Sequence, residues 1–131
     1  ELVRQCPDTR FVLDHCGKPA IKSALLDPWR EHIGALAALP NVICKLSGLI
    51  TEADPAAWTV DSLRPYVDHV LATFGPHRLL FGGDWPVAKL AGAYPRWLDA
   101  ARALVSHLSP PDQSGIFAGN AARVYRLAGA Q

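Results

Sequence analysis

The sequence is short of several features that would decide its class at once. It has 131 residues with no methionine, three cysteines and a formal net charge of +1. Such a small net charge gives no electrostatic attraction to nucleic acid or to an anionic membrane, so neither is expected as a partner. No apolar run approaches the length that crosses a bilayer. A chain that starts at Glu1 and contains no methionine is expected to be a piece of a longer protein.

The cysteines are too few for a disulfide framework. Cys6, Cys16 and Cys44 are odd in number and form no C-x-x-C pair, which also argues against a zinc knuckle. Reduced, mostly buried thiols are typical of cytosolic proteins, so a cytoplasmic location is expected. The sequence also has no G-x-G-x-x-G or P-loop signature and no convincing Ser-His-Asp order.

What is present fits one globular α/β domain. Half of the residues are hydrophobic and 19% are charged, which is an ordinary globular composition. Three short aliphatic runs, each ending in polar residues, predict buried strands at 11–15, 41–47 and 78–84. Apolar stripes at helical spacing predict helices between and after them, and Asn120 is expected to cap the last helix, which carries Val124 and Leu127.

Strands that alternate with helices predict a parallel sheet with right-handed crossovers. In such folds ligands bind beyond the carboxyl ends of the strands. His15, Ser47 and Asp84 stand at or near the three strand ends. Because parallel strands end on the same face of the sheet, we expect these side chains to lie close together.

Asp84 gives the strongest chemical signal. It follows an apolar strand and two glycines, so its carboxylate is expected at a partly desolvated mouth, as a proton acceptor or a metal ligand. It could equally cap a turn. His15 could act as a base, an electrophile or a metal ligand, or simply bond to a neighbouring carbonyl.

Three further residues are candidates for substrate binding. Lys18, in the loop after the first strand, could bind a substrate carboxylate or hydroxyl, although surface lysines are common. Ser47 could bond to substrate or begin the turn at Gly48. Trp85, beside Asp84, could form the wall of a pocket. Lys45 lies inside a strand, so we expect a buried ion pair or an inward polar role for it.

Four ordered segments of the sequence carry a pattern: FVLDHCGKP at 11–19, NVICKLSGL at 41–49, RLLFGGDWPV at 78–87 and IFAGNAARVY at 116–125. They resemble segments of the amidohydrolase-2 family of metal-dependent hydrolases. The first three look like its sixth, seventh and eighth strands, and the last resembles its closing helix. The forms D-H-x-G-K-P and G-x-D-W-P-V are similar to those of the L-fuconolactonase-like branch, which hydrolyses sugar lactones.

The resemblance implies a fold, a reaction and a site. The fold would be the C-terminal part of a (β/α)8 TIM barrel: about three βα units plus a C-terminal helix, with residues 1–131 forming one partial domain of strands six to eight. The reaction would be water addition to a lactone carbonyl. Asp84 would accept the proton of the attacking water, and His15 would polarise the carbonyl or the water. In metal-using members the same two residues would bind a divalent metal such as zinc, while other lactonases of the group are thought to use none.

The chain also departs from the family pattern. It has no counterpart of the first-strand H-x-H pair or of the fifth-strand ligand, so metal binding and activity by this chain alone are not expected. An incomplete barrel leaves sheet edges and inner residues without partners, which predicts an oligomer or a complementary chain. The alternatives are a decarboxylase or aromatic-acid lactonase of the same family acting on a carboxylic acid, and a non-catalytic fragment that needs a partner.

Overall fold

The structure is a computed structural model that describes residues 1–127. Its sheet has three parallel strands in the order β1–β2–β3. The strands are β1 Phe11–Leu13, β2 Val42–Leu46 and β3 Leu79–Phe81. Val12 pairs with Ile43 and Lys45 pairs with Leu80. The predicted order and parallel direction are confirmed, although each strand is shorter than its apolar run because the polar residues at its end turn away.

Helices connect the strands and follow the last of them. The two longest, α4 and α5, carry the apolar stripes seen in the sequence. Thr59 and Ser62 form a capping box at the start of α4, and Gly75 ends it. The helices are α1 Leu2–Gln5, α2 Trp29–Ala37, α3 Leu49–Glu52, α4 Val60–Phe74, α5 Tyr94–Leu104, α6 Pro110–Ser114 and α7 Asn120–Tyr125.

The two faces of the sheet are covered differently. Alternate strand residues, such as Cys44 and Leu46, join the main core with the helices. The opposite face carries a small cluster in which Val124 of α7 packs against Ile43 and Leu80. This second face is the one that would look into the interior of a closed barrel.

The last helices differ from the sequence prediction in two ways. Asn120 is not an N-cap, because a π-helical turn at Gly115–Gly119 leads directly into α7. Its buried side-chain amide instead donates to the carbonyls of Pro76 and Leu79 at 2.8 and 2.9 Å. α7 ends at Tyr125, so Leu127 lies beyond it and is exposed. Among residues 1–127, no helix is long and apolar enough to cross a membrane.

Candidate active site

The chain leaves β1 through a left-handed turn. His15 and Cys16 have φ values of 55° and 50°, and Lys18 has a φ of 53°. Left-handed backbone costs a non-glycine residue roughly 1–2 kcal/mol, so other contacts must hold this turn. The Trp29 indole donates to the Cys16 carbonyl at 2.8 Å, and the Cys16 side chain is fully buried. This anchoring directs the His15 imidazole across the end of β2.

Residues at the end of β2 hold the imidazole of His15 in place. Nδ1 of His15 lies 2.8 Å from Oγ of Ser47, which is completely buried. Gly48, with a φ of 65°, lies so close to the ring that an added β-carbon would be 2.7 Å from its Cγ and Nδ1 atoms. Only glycine leaves room for the ring here, so Ser47 and Gly48 together fix its position.

Asp84 meets His15 from the end of β3. It too has a left-handed backbone, with a φ of 52°. Its Oδ1 lies 3.7 Å from Nε2 of His15, and its side chain is only 11% exposed. The Oγ1 of Thr51 donates to the Gly48 carbonyl at 2.9 Å and lies 3.5 Å from Oδ2 of Asp84. The predicted convergence of His15, Ser47 and Asp84 at one end of the sheet is therefore present.

Lys18 reaches the same end of the sheet but is paired with a carboxylate. Its Nζ lies 2.9 Å from Oε1 of Glu52. The hydrogen bond and the charge of Glu52, with a smaller contribution from Asp84, raise the pKa of the Lys18 ammonium. The ammonium is well exposed to solvent, so it is also accessible to a ligand. Its assignment to substrate binding stays a prediction.

A second ion pair lies next to this group. Nζ of Lys45 is 2.5 Å from Oδ1 of Asp14, which provides the partner expected for a lysine inside a strand. The hydrogen bond from Lys45 lowers the pKa of the Asp14 carboxyl, and the same bond raises the pKa of the Lys45 ammonium. The pair places a fixed positive and a fixed negative charge on the inner face of the sheet.

Trp85 turns outward from the site. It follows Asp84 directly, yet it is 69% exposed, and the ammonium of Lys89 lies 6.0 Å from its ring centre. Gly83 permits the close approach of Tyr94, because an added β-carbon would be 2.6 Å from that ring. The role of Trp85 in walling a substrate pocket stays a prediction.

Three residues of the site were missed by the sequence reasoning. Gly48, Thr51 and Glu52 all lie in the segment after β2, where α3 forms a single turn. Four residues carry too little periodicity for the sequence to indicate a helix here. The left-handed glycine after a strand end was the one available signal.

The site could contribute to a metal centre but not complete one. Two ligands on a tetrahedral zinc, each bound at ~2.0–2.1 Å, lie about 3.3 Å apart, and the 3.7 Å between His15 Nε2 and Asp84 Oδ1 is close to that. Among residues 1–127, no group of three or more His, Cys, Asp or Glu side chains could hold a metal. These residues therefore fit a zinc site as two of its ligands.

The arrangement brings together two groups that can take part in acid–base chemistry. Asp84 presents a nearly buried carboxylate, which can accept a proton, beside an imidazole nitrogen that can donate or accept one.

A surface cleft of about 710 Å³ lies elsewhere, between the start of α4 and α5, and is lined by Trp58 and Arg96. It includes none of the residues described at the strand ends.

Comparison with known proteins identifies relatives. The Amidohydrolase family model matches residues 1–127. An L-fucono-1,5-lactonase of Burkholderia multivorans is 41% identical over 148 residues, a match to 95% of this chain and 49% of the relative. An L-fucono-1,5-lactonase of Burkholderia ambifaria is 44% identical over 130 residues, a match to 95% of this chain and 44% of the relative. The chain thus spans about half the length of these curated relatives.

A solved structure agrees with the sequence matches. A crystal structure of an amidohydrolase from Burkholderia multivorans with bound zinc superposes with a TM-score of 0.88 at 41% identity. The match covers 96% of this chain and 47% of that one. The expected fold class is confirmed: the α/β architecture with its parallel sheet corresponds to part of a TIM barrel. By the match of its family model over residues 1–127, this chain belongs to the Amidohydrolase family.

Proposed function

We propose that this chain is the carboxyl-terminal part of a lactone hydrolase and that its three strands correspond to strands six to eight of the barrel. The observation that carries the proposal is the approach of His15 Nε2 to Asp84 Oδ1 at 3.7 Å, at the strand ends of a chain 41–44% identical to two L-fucono-1,5-lactonases. The substrate class is a small sugar lactone. A cytoplasmic location remains a prediction from the cysteine usage.

In this proposal Asp84 is the general base. Its carboxylate takes a proton from a water molecule as the water oxygen bonds to the lactone carbonyl carbon, and the carbonyl electron pair moves onto the carbonyl oxygen. His15 stabilises that oxygen by hydrogen bonding. When the oxyanion collapses, the ring carbon–oxygen bond breaks. The proton held by Asp84 then passes to the leaving alkoxide, which gives an open-chain hydroxy acid.

A zinc ion, if the full protein binds one, would be held by His15 and Asp84 with ligands from outside this chain. The zinc-bound structural neighbour supports that option. When bound, it would supply Lewis-acid polarisation of the scissile carbonyl.

The direct test is a full-length barrel. The first half of the Burkholderia multivorans relative would be joined to this chain, and opening of L-fucono-1,5-lactone would be followed by acid release. We expect turnover by the fusion and none by the chain alone.

In the fusion, Asp84→Asn should lower kcat about 10²- to 10⁴-fold. A matched control, Asp99→Asn, removes a carboxylate that is 76% exposed on α5 and should leave kcat unchanged. A loss of less than about threefold for Asp84→Asn would exclude the base role.

A further inference from the structure

The hydroxyl of Ser47 has an unusually restricted environment. Ser47 is completely buried. Within residues 1–127, the one hydrogen-bond partner of its Oγ is Nδ1 of His15, at 2.8 Å. No buried side-chain nitrogen or oxygen in the same part of the chain lacks a partner. The sequence allows Ser47 either to bond to substrate or to begin the turn at Gly48. In the structure its hydroxyl is hydrogen-bonded to the imidazole, and a contact with substrate stays a prediction.

This environment decides the direction of the hydrogen bond. A hydroxyl has one hydrogen to donate, and a buried hydrogen without an acceptor is costly. If Nδ1 of His15 carried a proton, Ser47 would accept that proton and its own O–H would have no acceptor among these residues. If Ser47 donates to Nδ1, both groups are satisfied. The neutral imidazole then carries its proton on Nε2.

Asp84 favours the same tautomer for an independent reason. Its Oδ1 lies 3.7 Å from Nε2 on the other side of the ring. A lone pair on Nε2 would face the negative carboxylate, whereas an N–H would be attracted to it. Gly48 packs against the ring and restricts its rotation. Contacts on both edges of the imidazole therefore support one protonation pattern.

We propose that Ser47 is a positioning residue that donates its hydroxyl hydrogen to Nδ1 of His15, which places the neutral imidazole's proton on Nε2 at the mouth of the site. His15 then acts as a hydrogen-bond donor to the carbonyl oxygen, and Asp84 is left as the base. This role in the reaction rests on the proposed function, but the tautomer does not. A metal on Nε2 would require the opposite tautomer, with Nδ1–H donating to Ser47.

The test is ¹⁵N NMR of the full chain with labelled histidine, treated with a chelator, at a pH of about 8.5, where imidazole is ordinarily neutral. The signals of His15 among the five histidines are assigned by their loss in His15→Gln. We expect an unprotonated Nδ1 and a protonated Nε2. In Ser47→Ala the ratio of the two tautomers should fall about fivefold, the factor that one hydrogen bond supports. Ser106→Ala, which removes an exposed hydroxyl bonded to a carbonyl, should leave the ratio unchanged.

Two results overturn the proposal: a protonated Nδ1 in the unsubstituted chain, or an unchanged tautomer ratio in a folded Ser47→Ala variant. If Ser47→Ala does not fold, the spectrum of the unsubstituted chain still decides the direction of the bond. Ser47→Thr, which keeps the hydroxyl, should then retain that spectrum, and a reversed pattern in it counts against the proposal. Failure of the proposed function would appear separately, as an inactive fusion or an active Asp84→Asn variant with the His15 tautomer intact.

Discussion

Gly48 and His15 are in such close contact that a β-carbon at position 48 would lie 2.7 Å from the imidazole. The glycine also has a left-handed φ of 65°. Two requirements therefore meet at one residue: a backbone conformation that other residues adopt at a cost, and space for a side chain of the candidate site.

Gly48→Ala tests this contact. We expect it to lower the free energy of unfolding by about 1–2 kcal/mol through the left-handed backbone alone, and to displace His15. In the full-length fusion, kcat should fall at least about 10²-fold, since misplacement of a group by about 1 Å has that effect. Urea unfolding and lactone turnover are the measurements.

A matched control is available in α2. An added β-carbon at Gly34 would meet nothing within 4 Å, and Gly34 lies inside a helix. Gly34→Ala should therefore raise the free energy of unfolding by roughly 0.5–1 kcal/mol without affecting turnover. Equal effects of the two substitutions would contradict the structural argument.

The ion pair of Lys45 with Asp14 predicts an acid-dependent contribution to stability. Lys45 lowers the pKa of the Asp14 carboxyl below its ordinary value near 3.8. The stabilisation is therefore fully present above that ordinary value and is lost as the pH falls towards the lowered one. Because Asp14 is 60% exposed, solvent screening limits the contribution to at most about 1 kcal/mol.

The measurement for this pair is unfolding of Lys45→Gln and of the unsubstituted chain between a pH of about 6 and about 2. The stability difference between the two should shrink at the acid end and also in high salt. A difference that grows as the pH falls would show that Asp14 does not carry the effect.

Lys18 is expected to contact substrate or product through an accessible ammonium. Lys18→Met in the full-length fusion should raise KM by about tenfold with little change in kcat, because the lost contact is made equally in the ground and transition states. Lys22→Met is the control, since it removes another exposed lysine. A fall in kcat at unchanged KM would instead place Lys18 in the chemical step.

Zinc binding should distinguish the chain from the complete barrel. Two donors 3.7 Å apart hold a metal weakly, whereas structural and catalytic zinc sites use at least three protein ligands. In a competition assay with a chromophoric chelator, the chain alone should bind zinc far more weakly than the fusion. In the fusion, zinc on Nε2 of His15 would require the tautomer with the proton on Nδ1, and His15→Ala should then lower zinc affinity by at least about tenfold. Equal affinity of the chain and the fusion would mean that this chain holds the metal with other residues.

The sequence predicted the meeting of His15 and Asp84 because parallel strands end on the same face, and that rule does not depend on local detail. It did not predict the left-handed turn around His15, because residues of ordinary propensity adopt it only when Trp29 and the core hold them. Asn120 was misassigned for a related reason. Asparagine is a good cap in isolation, but here the carbonyls of Pro76 and Leu79 offer its amide two buried acceptors.

The amide of Asn120 has a consequence for how the chain can join the rest of a barrel. Gly82, directly after β3, donates its N–H to the Leu46 carbonyl of β2. Successive residues of a strand point their backbone groups to opposite sides, and Leu79 lies three residues before Gly82. The Leu79 carbonyl therefore points away from β2. The side-chain amide of Asn120 already donates a hydrogen bond to that carbonyl. An incoming strand beside β3 would meet this amide at Leu79, and the next carbonyl that faces the same side belongs to Phe81. Asn120 would thereby restrict how an added strand can pair with the start of β3.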